Sequence, residues 1–203
     1  LVRAEIIPGK QLGLRQARVI ERLGDTTGAK SVSLIALHER DIPIDFSEGA
    51  LAQAEKAKAA PHKGRDDLRK IPLVTIDGAD ARDFDDAVWA EPDDSQNNPG
   101  GWHLIVAIAD VAWYVRPGDD LDRSAYERGN SVYFPDRVVP MLPEVLSNGW
   151  CSLRPNEDRP CLAAHMWIDA NGRLLKHKFI RATLCSAARL TYTGTHDGPL
   201  FDH

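Results

Sequence analysis

Residues 1–45 contain short segments in which polar and apolar side chains alternate. Ala17–Leu23 shows this pattern, Gly24-Asp25 predicts a turn after it, and Ser31–Leu37 is the next apolar segment. An alternation with a period of two is typical of strands that bury one face. This part of the chain is therefore predicted to form the last strands of a small OB-like β-barrel.

A helix and a linker are predicted over residues 46–70. Ser47 is a suitable N-cap for a helix over Glu48–Ala60, which is rich in Ala, Glu and Lys, and Pro61 would end it. Because this segment has few large apolar side chains, we expect a solvated helix on the surface. Residues 61–67 have the composition of a linker.

Longer apolar segments separated by turn residues begin at Ile71. The predicted strands are Pro72–Ile76, Phe84–Ala90, Trp102–Ala109, Ala163–Ile168 and Arg173–Ile180, the last two joined by an Asn171-Gly172 hairpin turn. The predicted helices are Leu121–Arg128, which Gly129 would end, and a short one over Pro143–Leu146. The fold class predicted for residues 71–203 is α+β, a mixed sheet with flanking helices.

The composition is typical of a soluble globular protein, with 43% hydrophobic and 27% charged residues among 203. The sequence has neither an apolar run long enough to span a membrane nor a signal peptide, so no membrane association is expected. The chain starts at Leu1 rather than Met, which suggests a natural start further upstream. Three cysteines without a C-x-x-C pair, Cys151, Cys161 and Cys185, predict reduced thiols in a cytoplasmic protein.

Negative charge is concentrated in one short segment. The net charge of −5 argues mildly against a nucleic-acid-binding protein, because phosphate contacts usually need a basic surface. However, ten residues contain five carboxylates: Asp77, Asp80, Asp83, Asp85 and Asp86. Carboxylates this crowded repel one another and destabilise a fold, so the segment favours a site in which cations neutralise them. Oxygen ligands in this number suit Mg²⁺ or Mn²⁺, and neither thiol nor imidazole lies nearby in the sequence to favour zinc.

The spacing of the aspartates also fits a metal site. The predicted strand delivers Asp77, and Gly78 permits a sharp turn after it. On a regular strand Asp83 and Asp85 would share one face and Asp86 would lie on the other, so the ligands converge only in an irregular loop. Two magnesium ions roughly 4 Å apart would stabilise the attacking and leaving oxygens of a phosphodiester cleavage. An acidic surface loop and an EF-hand are the weaker alternatives, and the segment lacks the EF-hand pattern.

Several sequence blocks are similar to those of the ribonuclease II / ribonuclease R family of 3′-to-5′ exoribonucleases. The blocks are Ile76-Asp-Gly-Ala-Asp-Ala-Arg-Asp-Phe-Asp-Asp-Ala87, Val106–Val111, Arg128–Pro135, Pro140–Ser147, Cys151–Pro155 and Ala188–Tyr192. They occur in the family's order between about residue 65 and residue 193, which makes the resemblance highly specific. It is closer to ribonuclease R than to ribonuclease II, especially in Asp77-Gly78 and Ser131–Pro135.

The resemblance implies an enzyme that threads single-stranded RNA into a channel and releases nucleoside 5′-monophosphates. The magnesium site of the family uses four aspartates, which fall here on Asp77, Asp83, Asp85 and Asp86. Asp85 matches the aspartate that is most critical for the chemistry, whereas Asp80 matches no ligand.

Two tyrosines also match residues of the family that contact RNA. Tyr133 matches a tyrosine that packs on a nucleotide near the 3′ end and helps to set the size of the final product. Tyr192 matches a tyrosine that contacts RNA close to the active site and helps to discriminate ribose. Base stacking on an aromatic ring contributes ~1–3 kcal/mol with any sequence, and the 2′-hydroxyl distinguishes RNA from DNA. Without the resemblance, buried tyrosines with satisfied hydroxyls would be the better expectation.

Other polar and aromatic residues are expected to have structural roles. Asp110 is expected to cap a turn, with a place behind the metal ligands as the alternative. Trp113 and Tyr114 are expected to pack in the core. Arg128, Arg137 and Arg154 are expected to be surface arginines rather than phosphate ligands.

The chain is much shorter than the enzymes of the family. By the resemblance, residues 1–45 correspond to the end of a cold-shock barrel and residues 71–203 to the N-terminal part of the RNB catalytic domain. The remainder would supply an arginine that stabilises the reacting phosphate, another stacking aromatic and much of the channel wall. Loss of such charge stabilisation commonly costs ~10²-fold or more in rate. The chain alone is therefore expected to be weakly active or inactive unless a complementing polypeptide carries the rest.

Two other functions compete with this interpretation. The first is an RNA-binding module without catalysis. The second is a metal-dependent phosphatase for small molecules, which would use the aspartates but give no role to Tyr133 and Tyr192.

Overall fold

The computed structural model describes residues 1–8, 15–24, 29–93 and 95–193. In chain order the elements are β1 (Val2–Ile6), β2 (Ala17–Arg22), α1 (Ala29–Glu39), α2 (Glu48–Glu55), β3 (Asp66–Asp67), β4 (Val74–Asp77), β5 (Asp86–Asp93), β6 (Gly101–Ala109), α3 (Val111–Tyr114), α4 (Asp120–Arg128), β7 (Val132–Phe134), β8 (Arg137–Val139), a π-helical segment α5 (Leu146–Trp150), β9 (Asp158–Ile168), β10 (Leu174–Cys185) and β11 (Ala188–Thr191). None of the helices in these ranges is both long and apolar enough to cross a membrane.

The chain divides into two compact units. The first comprises residues 1–46 and 125–141, and the second comprises residues 47–124 and the chain from Leu142 onward. In the first unit β1 pairs antiparallel with β2, and β7 pairs antiparallel with β8. The assignment of residues 1–45 to a barrel stays a prediction.

The strand predicted at Ser31–Leu37 is wrong, because this segment lies in helix α1. A short apolar segment fits either a strand or a buried face of a helix, and its pattern alone does not separate them. Ser33 and Leu37 are both buried and lie four residues apart, as on one face of a helix. The strand predicted at Ala17–Leu23 is confirmed as β2. Asp25 of the predicted turn lies outside the described residues.

The second unit is built on a seven-stranded mixed sheet, which confirms the predicted α+β class. The strand order is β11-β4-β5-β6-β9-β10-β3. The two outer pairs, β11 with β4 and β10 with β3, are parallel, and the inner pairs are antiparallel. The strands predicted from Pro72 onward are all present, and Gly172 has the positive φ of 82° that the predicted hairpin turn requires.

Helix α2 is shorter than predicted. Ser47 is its N-cap and its hydroxyl accepts a hydrogen bond from the amide of Ala50 (3.2 Å), as expected. The helix ends at Glu55 instead of Ala60, because the amide of Ala57 bonds to the carbonyl of Ala54 in a tighter turn (3.1 Å). Ala50 and Ala54 are fully buried, so one face of this helix packs against the unit rather than lying in solvent.

The predicted linker over residues 61–67 packs against the sheet. Its end forms β3 beside β10, and the amide of Leu68 donates to the carbonyl of Thr183 (2.9 Å). The side chain of Arg65 is buried. This segment is therefore a fixed part of the second unit.

The two faces of the seven-stranded sheet differ in burial. One face carries the core, where the side chains are almost completely buried: Ala87, Ile105, Ala107, Cys161, Ala163, Ala182 and Leu184. The other face is also apolar, but four of its large side chains are about half exposed or more: Trp102, Ile108, Leu162 and Phe179. The site described below lies at one end of β4 and β5 in this sheet.

Candidate functional site

The aspartates lie where β4 ends and β5 begins. β4 ends with Asp77, β5 begins with Asp86, and Gly78–Asp85 form an irregular connection between them. We call this connection the aspartate loop. The four predicted ligands can converge only if the backbone between them is irregular, and this connection is irregular.

The predicted metal ligands interact through their charges. Desolvation, and after it the charges of Asp83, Asp86 and Asp77, together raise the pKa of Asp85 to about 6, although part of the residue is still exposed to solvent. Burial also raises the pKa of Asp77; the neighbouring Thr75 hydroxyl and the charge of Arg189 oppose the rise, and the charges of Asp86 and Asp83 add to it. The fold thus brings Asp77, Asp83, Asp85 and Asp86 into one electrostatic cluster. Asp80 contributes to neither shift.

Buried polar atoms without a hydrogen-bond partner accumulate beside this cluster. They are Asp77 Oδ2 and Arg189 Nε, whereas the Thr75 hydroxyl lies next to the Asp77 carboxylate and interacts with it. Thr75 and Arg189 are register partners on β4 and β11, and Asp77 lies two residues beyond Thr75 on the same face. Buried polar atoms are normally satisfied, so ordered water is expected at the base of the aspartate loop.

The donor chemistry of the cluster fits a hard divalent cation, since its members are carboxylates with one unpaired buried oxygen. Across the described ranges, however, no group of three or more His, Cys, Asp or Glu side chains is arranged so that it could hold a metal ion. The metal site with Asp77, Asp83, Asp85 and Asp86 as ligands therefore stays a prediction.

The two predicted RNA-contacting tyrosines lie in different units. Tyr192 directly follows Thr191, whose register partner in the parallel strand β4 is Asp77. Its exposed side chain therefore emerges at the same end of the sheet as the aspartate loop. Tyr133 is exposed on β7 of the first unit. Without the resemblance to the family, both tyrosine side chains would be expected to be buried. That expectation is wrong, because both side chains are exposed.

Asp110 does not cap a turn through its side chain. Its carboxylate is buried and forms an ion pair with Arg65 (2.7 Å), and Arg181 lies 3.9 Å away. The core position predicted for Tyr114 is confirmed. The guanidinium of Arg128 donates to the carbonyls of Pro43, Ile44, Asp45 and Pro140, so this arginine holds the backbone of the first unit instead of being a loose surface residue.

Sequence reasoning missed two residues that hold the aspartate loop. The guanidinium of Arg189 donates to the carbonyls of Gly78 (2.8 Å) and Ala79 (2.7 Å). The hydroxyl of Ser152 accepts from the amide of Phe84 and donates to the carbonyl of Arg82 (3.1 Å each). Both residues lie in blocks that carry the resemblance, but only the folded chain reveals that these blocks lie beside the loop.

Comparison with known proteins identifies the family. The model of the RNB domain matches residues 65–197. This chain belongs to the RNB domain family. The RNB chain is 51% identical over 184 residues to Ribonuclease R of Escherichia coli, an alignment that covers 87% of the chain and 22% of that relative. The resemblance drawn from the sequence blocks is therefore confirmed, and the chain spans less than a quarter of this relative.

Solved structures share the fold of the RNB chain. Mycoplasma genitalium RNase R in complex with double-stranded RNA has a TM-score of 0.84 and 28% identity, covering 96% of this chain and 35% of that one. Yeast Ssd1, a pseudonuclease, has a TM-score of 0.67 over 94% of this chain and 24% of its own. At 17% identity the likeness to Ssd1 shows the fold alone.

Proposed function

We propose that the RNB chain is part of a magnesium-dependent exoribonuclease, which hydrolyses single-stranded RNA from the 3′ end and releases nucleoside 5′-monophosphates. The observation that carries the proposal is the electrostatic cluster of Asp77, Asp83, Asp85 and Asp86. Such a concentration of like charge destabilises a fold unless a cation neutralises it. The names of the relatives, Ribonuclease R among them, support RNA as the substrate.

The four aspartates would hold Mg²⁺, or Mn²⁺ in its place, because carboxylate oxygens are the ligands that both ions prefer. When bound, the metal would supply an activated water and would neutralise charge on the phosphate that reacts. We assign Asp85 the largest role, since its carboxylate interacts with all three of the others.

The tyrosines would bind the RNA. Tyr192, beside the aspartate loop, would contact the nucleotide whose phosphate reacts, and Tyr133 would stack on a nucleotide near the 3′ end. Exposed aromatic rings suit both contacts, because stacking does not depend on base sequence.

Magnesium titration of the chain, followed by calorimetry, tests the metal site. We expect Mg²⁺ binding by the wild-type chain and by Asp80→Asn, and its loss in Asp85→Asn. Asp80→Asn is a matched control, because it removes the same charge from the same loop at a residue outside the proposed ligand set. Binding that survives in Asp85→Asn, or that is absent from the wild-type chain, would contradict the proposal.

We propose that the RNB chain acts together with the rest of a catalytic domain, carried by a longer form of the same chain or by a complementing polypeptide. The support comes from the open apolar face of the sheet, defined here as the exposed side of β4, β5, β6 and β9. An antiparallel sheet usually presents polar residues on a solvated face. Here the face is apolar and contains a pocket of about 400 Å³ lined by Pro72, Val74, Ile76, Val88, Trp89, Ala90 and Leu104. A patch of this kind is typical of an interface.

An activity assay tests the complementing polypeptide. The RNB chain is incubated with a uniformly labelled oligoribonucleotide, alone and with a polypeptide carrying the remainder of a ribonuclease R catalytic domain. We expect mononucleotide release only from the mixture, and its loss when Ile108 on the open face is changed to Glu. Robust release by the chain alone would contradict this part of the proposal.

The alternative function is RNA binding without cleavage. The fold by itself does not require cleavage, since Ssd1, a pseudonuclease, has it too. Comparing wild-type and Asp85→Asn chains in the complemented mixture separates the two functions. A nuclease loses cleavage but keeps RNA binding in the variant, whereas a binding module has no cleavage to lose. Hydrolysis of a generic phosphomonoester in preference to RNA would instead indicate a phosphatase.

A further inference from the structure

The aspartate loop needs support from outside itself. It carries Asp80, Asp83 and Asp85 between Asp77 and Asp86, so mutual repulsion acts to spread it. Its own backbone contributes a turn, in which the amide of Ala81 donates to the carbonyl of Gly78 (3.1 Å). From Ala81 to Asp85 the loop has no regular secondary structure. The loop therefore depends on contacts that other parts of the second unit provide.

Arg189 joins the two ends of the loop. Its Nη2 donates to the carbonyls of Gly78 and Ala79 at the start of the loop. The same guanidinium lies over the ring of Phe84 at the end of the loop, 5.1 Å from the ring centroid. Because Arg189 is anchored on β11 beside Thr75 of β4, its position is set by the sheet.

Hydrogen bonds hold both the backbone amide and the backbone carbonyl of Phe84. Its amide donates to the hydroxyl of Ser152 (3.1 Å), and its carbonyl accepts from the amide of Leu153 (2.8 Å). Ser152 is completely buried, and its hydroxyl also donates to the carbonyl of Arg82. Next along the chain, the carbonyl of Asp85 accepts from the amide of Ala109 (2.9 Å).

The consequence concerns the carboxylates on either side of Phe84. Asp83 and Asp85 are its direct neighbours, so fixing the backbone of Phe84 limits where both carboxylates can go. A ligand set that is ordered in advance loses less conformational entropy when it binds.

We propose that Arg189 and Ser152 are positioning residues, which hold the aspartate loop in one conformation before any cation binds and so increase the affinity of the loop for Mg²⁺. The increase in affinity rests on the proposed metal site, whereas the order of the metal-free loop does not. Neither side chain is proposed to touch the metal or the RNA.

Amide hydrogen exchange of the metal-free chain tests the first part. Ser152→Ala should accelerate exchange of the Phe84 amide by about tenfold, since this amide loses its acceptor. Arg189→Met should accelerate exchange of the Ala81 amide. This amide donates to the carbonyl of Gly78, and Arg189 holds the same carbonyl in place. Arg173→Met is the matched control: it removes an exposed arginine at the β9–β10 hairpin and should leave the loop amides unchanged. Unchanged exchange in Ser152→Ala and Arg189→Met would overturn the proposal.

Calorimetric Mg²⁺ affinity tests the second part. We expect the dissociation constant to rise about tenfold in Ser152→Ala and in Arg189→Met, while the urea midpoint of global unfolding changes little in comparison. Arg189→Lys should restore affinity only in part, because an ammonium group can donate to the two carbonyls but lacks the planar face that lies over Phe84. Full rescue by Lys would mean that the contact of the guanidinium with Phe84 is dispensable and would overturn the proposal that Arg189 joins the two ends of the loop.

The two proposals fail in different ways. A wild-type chain that binds no Mg²⁺ would refute the metal site and with it the gain in affinity, but the exchange data would still decide whether Arg189 and Ser152 order the loop. Faster exchange combined with unchanged Mg²⁺ affinity would overturn the positioning proposal while leaving the metal site intact.

Discussion

Changing Asp85 to Asn should stabilise the metal-free chain while destroying the function proposed for it. The folded protein raises the pKa of Asp85 from 3.8 to about 6, through burial first and then through Asp83, Asp86 and Asp77. A shift of this size corresponds to at most ~3 kcal/mol against the charged form, at 1.36 kcal/mol for each pKa unit. Because the side chain reaches solvent, screening reduces this energy. We expect Asp85→Asn to increase the free energy of unfolding by about 1 kcal/mol at neutral pH.

The sign of the pH dependence follows from the raised pKa. Between the unfolded value of 3.8 and the folded value of about 6, the folded chain binds more protons at Asp85 than the unfolded chain does. Stability contributed by this residue is therefore greatest at low pH, falls as pH rises through that window, and stays low above it. Urea unfolding followed by circular dichroism in EDTA measures the effect, and the advantage of Asp85→Asn should disappear as the pH is lowered.

Magnesium should reverse the order of stability. At a hundredfold excess over the dissociation constant, a cation that binds only the folded chain adds ~2.7 kcal/mol to the wild type. Asp85→Asn should gain little, whereas the control Asp80→Asn should gain as much as the wild type. The reasoning is refuted if Asp85→Asn is less stable than the wild type in EDTA, or if Mg²⁺ stabilises both chains equally.

Three further predictions concern the scaffold, each measured as the free energy of unfolding in urea. Arg65→Met should cost about 3–5 kcal/mol, because Asp110 is left buried without its close partner; adding Asp110→Leu should recover most of this, and failure to do so would contradict the ion-pair explanation. Ser47→Ala should cost about 1 kcal/mol through loss of the N-cap of α2, and Ser47→Asp should not. Gly101→Ala should cost about 1–3 kcal/mol, because the added Cβ would overlap the Asn98 side chain, which bonds to Asp93 and to the carbonyl of Ile168. In an Asn98→Ala background the same change should cost clearly less.

Local patterns predicted much of the sheet but not all of the elements around it. The apolar segment Trp102–Ala109, the Asn171-Gly172 turn and the Ser47 N-cap each depend on nearby residues, and each is found in the structure. The strand predicted at Ser31–Leu37 is wrong, because a short apolar run fits a helix or a strand equally well and distant contacts decide between them. The predicted end of α2 at Ala60 is also wrong. Ala, Glu and Lys favour a helix throughout the segment, but the folded chain ends the helix at Glu55.

The sequence alone determined the chemistry of the candidate site. Five aspartates in ten residues repel one another whatever the fold, so the need for a neutralising cation can be inferred from their spacing. The order of the blocks likewise resembles that of the ribonuclease R family, and the match of the RNB domain model to residues 65–197 confirms that family.

Only the tertiary structure decided what surrounds the aspartates. Arg189 lies more than a hundred residues after Gly78 in the chain, and Ser152 about seventy after Arg82, yet both bond to the aspartate loop. Contacts over such separations depend on strand order and register, here on β11 lying parallel to β4. Sequence spacing carries no record of that order, because any strand of suitable pattern could occupy the same edge. The residue types therefore specify the charge of the loop, and the sheet specifies its shape.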